Sequence, residues 1–357
     1  MKKVALAVAI AALSGQAMAA EIFDNGTTSA SVGGRIGIKT ETGAKSDDGM
    51  RSDSSRINFG FEHKLSENVT AFAKVEWSYD MQDDEGESFG ERLGNIGLAH
   101  KTMGTVIVGK QWSAYSDVAG WTDKGLFNGG YAMGIYDGVG GHGTSGMGRA
   151  DDAIGYRNSF GGLNVSAQYQ LSDNGTEDKE TFDRENGMQL AVSYDLPMGF
   201  SIGATVAETA YKATESKATD GTITKTGFDK DTDSTAQTFA VKYDNNGLYL
   251  AATMGSFEYI HEDAKESKGT EVYGQYSLNS VVPGLAVFSG YQILEVDKLA
   301  SGADSKREEK VFSLGTEYKV GPMLFGLQYS NFDKKNDLGV DVEGDDDVYY
   351  ATARYYF

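Results

Sequence analysis

The sequence predicts an all-β chain, a 16-stranded antiparallel transmembrane β-barrel with short periplasmic turns and long outer loops, on three observations. From Ala19 onward, apolar and polar residues alternate with period two as far as the last residue, and no helical period competes. The links between the alternating runs switch strictly between short and long. No run of eighteen or more apolar residues follows residue 19, so no helix is long and apolar enough to cross a bilayer. A soluble sandwich also alternates, but it has no reason to gather its long loops at one end through sixteen strands. A barrel whose two ends face the periplasm and the outside does. In lipid every backbone polar group is paired internally, and closure is the all-strand way to achieve that.

The elements follow in order. Residues 1–19 place Lys2 and Lys3 before an apolar run from Val4 to Leu13 and end on Ala17-Met18-Ala19, the pattern of a secretory signal peptide cut after Ala19. Residues 20–357 form the barrel. Alternating runs lie near 30–40, 55–65, 69–80, 92–101, 104–113, 151–159, 163–172, 187–196, 200–211, 236–244, 248–259, 269–279, 285–297, 310–320, 323–332 and 347–357. In 163–171, Leu163, Val165, Ala167, Tyr169 and Leu171 share one face, and Asn164, Ser166, Gln168 and Gln170 the other. The links 65–69, 101–104, 196–200, 244–248 and 320–323 are short. Pro197, Pro283 and Pro322 all fall in short links, where a missing N–H costs no ladder bond. The last run, DVYYATARYYF, puts Tyr349, Ala351, Ala353, Tyr355 and Phe357 on one face and ends on an aromatic.

Composition narrows the function. Removing Lys2 and Lys3 leaves 30 Lys+Arg (32 − 2) against 52 Asp+Glu, a mature charge of −22 that repels nucleic acid. Zero cysteines exclude a disulfide framework and a thiolate metal site. His63, His100, His142 and His261 are dispersed without metal-ligand spacing, so no metal or other cofactor is expected. His142 and Ser145 are neighbours in one loop, which reads as coincidence rather than as a catalytic pair, and no enzyme activity is expected. Asp229, Asp231 and Asp233 begin like a Ca²⁺ loop, but Ser234 and Ala240 stand where Gly and Glu belong. Gly138, Gly140 and Gly143 match G-x-G-x-x-G, yet RADDAIGYRNSFGG after them is too short and glycine-bounded for the helix a phosphate cradle requires.

Over almost its whole mature length the chain resembles the general, non-specific porins of Gram-negative outer membranes. The likeness rests on AEIFDNGTTSASVGGRIGI, SSRINFGFEHKL, ERLGNIGLAHKTMGTVIVGKQWSAYSDVAGWTD, GRADDAIGYRNSFGGLNVSAQY and the terminal ARYYF. It implies a homotrimer of barrels, each narrowed by the third long loop folded inward, here 114–150. It also implies that Tyr355 and Phe357 address the barrel-assembly machinery. Lipid and lipopolysaccharide surround such a barrel, and the acidic outer stretches Glu177–Glu180, Glu262–Glu266 and Asp341–Asp347 could hold divalent ions that bridge to lipopolysaccharide.

A diffusion pore needs a polar lumen and a narrow point where opposite charges set a transverse field. Arg35 shares the lumenal parity with Lys39, and Arg56 lies opposite Ile57, Phe59 and Phe61. Arg92 shares parity with Ile96 and Leu98, and its lumenal place rests on the family pattern RLxxxGL. Arg149 and Arg157 join the basic cluster by resemblance. An arginine facing lipid costs about 2–4 kcal/mol at the midplane, which favours the lumen for all five. Enterobacterial relatives carry an acidic P-E-F-G-G-D segment where this loop reads Leu126-Phe127-Asn128-Gly129-Gly130-Tyr131. The remaining acidic candidates are Asp117, Asp123, Asp137, Asp151 and Asp152. The expected function is passive passage of ions and small hydrophilic solutes, with modest cation preference from the acid excess. Two other readings stand beside it, a surface interaction protein such as an adhesin or phage receptor, and a sugar-specific channel.

Overall fold

A computed structural model describes residues 19–43, 49–80, 89–173, 182–213, 215–217, 223–225, 230–342 and 347–357. Of the expected signal segment only Ala19 is among them, and Glu177–Glu180 and part of Asp341–Asp347 lie outside. Sixteen long strands make the wall: β1 (Thr28–Gly43), β2 (Arg56–Lys64), β3 (Val69–Tyr79), β4 (Phe89–His100), β5 (Gly104–Trp112), β6 (Ala153–Phe160), β7 (Leu163–Gln170), β8 (Asp183–Asp195), β9 (Phe200–Lys212), β10 (Thr232–Asn245), β11 (Leu248–Glu258), β12 (Ala264–Ser277), β13 (Leu285–Leu299), β14 (Asp304–Val320), β15 (Met323–Lys335) and β16 (Asp347–Tyr356). Each pairs antiparallel with its sequence neighbours, and β1 pairs with β16 from Arg35↔Tyr356 to Gly43↔Val348, which closes the barrel.

Alternation builds the two faces as expected. Along β9 exposed and buried residues alternate, with Ile202, Ala204 and Val206 outward and Ser201, Thr205 and Thr209 inward. Exposed Ile36, Ile38, Leu98, Val108, Leu190 and Phe239 belong to the same apolar belt. Several strands run past their expected outer ends. β14 starts at Asp304 rather than near 310, because hairpins go on exchanging backbone hydrogen bonds above the bilayer. There they carry ion pairs such as Lys310 and Lys335 to Glu308, at 2.6 and 2.8 Å.

Short strands outside the expected runs include Gly49–Ser52 and Ala20–Asp24, and the second has a structural role. Ala20–Asp24 pairs antiparallel with the start of β1, Ala20↔Val32 to Asp24↔Ser29. The β16 ladder reaches only as far as Arg35, so Ser29–Val32 would otherwise be an open edge, and Ala20–Asp24 covers it. The terminal Phe357 still exchanges backbone bonds with Gly34, N to O 3.2 Å and O from N 3.0 Å.

Two buried apolar clusters lie between the inner wall and the link from β5 to β6. Tyr115, Ala119, Ala132, Met133, Ile135 and Met147 of this link pack on Ala207, Ala236, Phe257, Ile260 and Leu294. Val118 and Trp121 pack on Ala191, Ala240 and Ala251. Inward-facing alanines on β8 to β11 leave the room that a loop needs inside a barrel. At about 1.5–3 kcal/mol per buried large side chain, this bed holds the loop firmly.

Candidate pore constriction

The loop between β5 and β6 makes a closed excursion across the lumen. It leaves Trp112 through a short helix, α1 (Ser116–Ala119), and reaches the far wall at Leu126–Asn128. There the Gln328 side chain bonds both the N–H and the carbonyl of Phe127, each at 3.1 Å, and Arg354 donates to the Leu126 carbonyl at 3.3 Å. The chain then returns. Tyr115 clamps both passes, its hydroxyl donating to the Met133 carbonyl at 2.9 Å and meeting Thr238 at 2.7 Å. On the return, Gly143, Thr144, Ser145 and Gly146 present their carbonyls to Gln170, Arg184, Thr209 and Gln189 at 2.6–3.0 Å.

The glycine-rich stretch therefore supplies backbone to the wall, not to a phosphate. Its only helix, α2 (Gly141–Thr144), is four residues long. Gly146 has φ +75°, and a Cβ there would overlap the Gln170 side chain. The Ser145 hydroxyl donates to the Asp137 carbonyl at 3.1 Å while His142 faces Arg149, so His142 and Ser145 do not form a pair.

Beside the end of the loop, β1 to β4 carry a basic wall. Arg35 and Arg56 both donate Nε to the Ser54 carbonyl, at 2.9 and 3.4 Å. Arg56 and Arg92 both reach Glu76, at 3.6 and 2.7 Å. The parity conflict at Arg92 has a physical solution. Glu76 pairs with Leu93 and Trp77 with Glu91, so Arg92 is the extra residue of a β-bulge, which turns its side chain to the lumen while Ile96 and Leu98 stay outward. Arg149 stacks over Trp112 at 5.5 Å and donates to His142 Nε2 at 3.0 Å. His142 accepts that bond as neutral imidazole, because burial first and the Arg149 charge next bring it down to about 4.

Arg35, Arg56, Arg92 and Arg149 thus share one neighbourhood. Arg157 stands apart from these contacts, bonded to Asp117 at 2.7 Å and to the Trp112 carbonyl at 2.7 Å where the loop begins.

The acidic candidates divide in two. Asp117 pairs with Arg157, Asp151 with Lys110 at 2.8 Å and Asp152 with Arg184 at 3.1 Å, so their charges are neutralised locally. Asp123 accepts from the Tyr136 hydroxyl at 2.5 Å. Asp137 keeps a buried carboxylate oxygen without a hydrogen-bond partner among the described residues. Burial, then the charges of Glu262 and Glu309, push its carboxyl up to about 6.

Sequence reasoning missed Glu76, which holds the arginines, and the buried Asp53–Arg354 pair at 2.6 and 3.1 Å. A lumenal-parity scan for charges would have found Glu76 beside Lys74. Asp53 carried no such signal, because it lies in a loop. Tyr355 is exposed on the outer face and Phe357 lies in the last rung of the ladder.

A family profile described as Gram-negative porin matches residues 5–228. Outer membrane protein S2 of Salmonella typhi is 27% identical over 99% of this chain and 96% of its own length. Outer membrane porin F of Xenorhabdus nematophila is 30% identical over 95% and 96%. Among solved structures, Salmonella typhi OmpF in complex with daunomycin superimposes with TM-score 0.73 at 23% identity, covering 95% of this chain and 100% of that one. The trimer form of OmpT of Vibrio cholerae gives 0.68 at 20%, covering 93% and 100%.

Proposed function

The chain belongs to the Gram-negative porin family of the outer membrane, and from that premise we propose that it forms a homotrimeric general diffusion channel of modest cation preference whose neck is the gap between the 114–150 loop and the basic wall. The observation that carries this reading is the loop itself, folded inside the barrel and fastened from α1 to its tip at Leu126–Phe127. A loop anchored in this way narrows the lumen without plugging it by collapse. In this reading Asp123 and Asp137 of the loop with Glu309 on β14 supply the negative side, and Arg35, Arg56, Arg92 and Arg149 the positive side, of a transverse field that favours hydrated, dipolar solutes.

Cation preference rests on the −22 mature charge concentrated in outer stretches, which raises the local cation concentration at the mouth. The homotrimer is supported by the trimer form of the similar Vibrio protein. Phe357 is proposed as the signal read by the assembly machinery, and the outer collar of paired lysines and acids as the contact with lipopolysaccharide. Reconstituted protein should conduct small ions and admit small neutral sugars in a liposome swelling assay. Silent bilayers with correctly folded protein would refute the reading.

A further inference from the structure

Beside the neck, between the loop tip and strands β14, β15, β16 and β1, lies a recess of about 590 Å³. Its floor is aromatic. Phe127 stacks on Tyr350 with ring centres 4.6 Å apart at 22°, and Phe332 joins them. Charges of both signs stand around that floor. On the β1 side the Lys39 ammonium lies 5.4 Å from the Phe127 ring centre and 5.9 Å from that of Tyr350. On the loop and β14 side are Asp123 with the Tyr136 hydroxyl, and Glu309, which accepts from the Tyr131 hydroxyl at 2.9 Å and pairs with Lys334 at 2.9 Å, while Lys39 itself pairs with Glu41 at 3.3 Å. The Ser54 backbone that holds Arg35 and Arg56 forms part of the rim, so the recess opens where solutes pass.

The loop tip builds one side of it: Leu126, Phe127, Asn128, Gly129 and Tyr131 all line it. Lys39 already stands over the Phe127 and Tyr350 faces, so a simple cation meets repulsion there and a simple anion gains nothing from the rings, and a purely apolar solute would desolvate Lys39 and Asp123 without return. A solute carrying a ring and both charges answers the aromatic floor, Lys39 and Asp123 together, and the volume is that of a small-molecule pocket.

We propose that this recess is a solute subsite that briefly retains small zwitterions bearing an aromatic ring, of amino-acid or dipeptide size, during passage. The carboxylate of the solute faces Lys39, its ammonium faces Asp123 and Glu309, and its ring packs beside Phe127 and Phe332. The proposal rests on the channel reading and adds a selectivity that a plain sieve lacks.

The test uses the purified mature protein in planar bilayers with glycyl-phenylalanine as probe and glycyl-glycine as the ring-free control. Glycyl-phenylalanine should cause discrete transient current blockades that glycyl-glycine does not. In Phe127→Leu, which keeps the apolar anchor of the loop but removes the ring, blockade dwell time should fall by about three- to tenfold, the range an aromatic contact supplies. Lys39→Gln should shorten it likewise. Conducting channels without ring-dependent blockades, or blockades of the same duration in both variants, would overturn the subsite alone. Silent bilayers would overturn the channel reading and the subsite with it.

Discussion

In the proposed channel, Asp137 and Arg56 are the single charges through which the neck can be tested. Asp137 is ionised above about pH 6 and neutral below, since burial and two acidic neighbours raise its carboxyl from the ordinary range. Lowering the pH from about 7.5 to about 5 therefore removes one negative charge from the loop, and cation preference should decline with a midpoint near 6. Asp137→Asn should abolish that step in the reversal potential, and a step of the same size in the variant would contradict the assignment. Arg56 acts in the opposite sense. A unit charge about 7 Å from a passing ion in water is worth roughly 0.6 kcal/mol, a factor of about 2–3 in relative permeability. Arg56→Ala should raise cation over anion permeability by about that factor, and an unchanged reversal potential would remove Arg56 from the neck.

At the level of elements, the closing seam and the loop tip depend on one another. Arg354 on β16 holds Asp53 in a buried bidentate pair and also donates to Leu126 at the loop tip. Arg354→Ala strands the Asp53 carboxylate, a loss of about 3–5 kcal/mol for a broken buried pair. It should lower the thermal unfolding midpoint followed by circular dichroism in detergent. Gly34→Ala should do the same, because a Cβ there would overlap the Arg56 carbonyl and the Phe357 ring. A midpoint unchanged in both variants would separate the seam from stability.

The wall was legible in the sequence because period two runs through most of each strand, whereas the bulge at Arg92 was not, since one extra residue reverses parity without altering composition. The bed of the loop was half legible. Ala191, Ala207, Ala236 and Ala240 stood at inward positions, but small inward residues announce room without saying what fills it. Ala20–Asp24 escaped because five residues carry too little alternation, and the need for them arises only from the stagger between β1 and β16.

For the whole molecule, two fields compete. The acid excess at the mouths acts through water and fades as the Debye length shrinks from about 10 Å at 0.1 M salt to about 3 Å at 1 M. The arginine wall acts at contact range and is screened far less, so cation preference should shrink as salt rises. The most direct measurement is the reversal potential and single-channel conductance of the purified protein across a salt gradient, at low and at high mean concentration. Three equal conductance steps, with a cation-favouring potential at low salt that declines at high salt, are the predicted result. A bilayer that stays silent, or a potential that favours anions even at low salt, would contradict it.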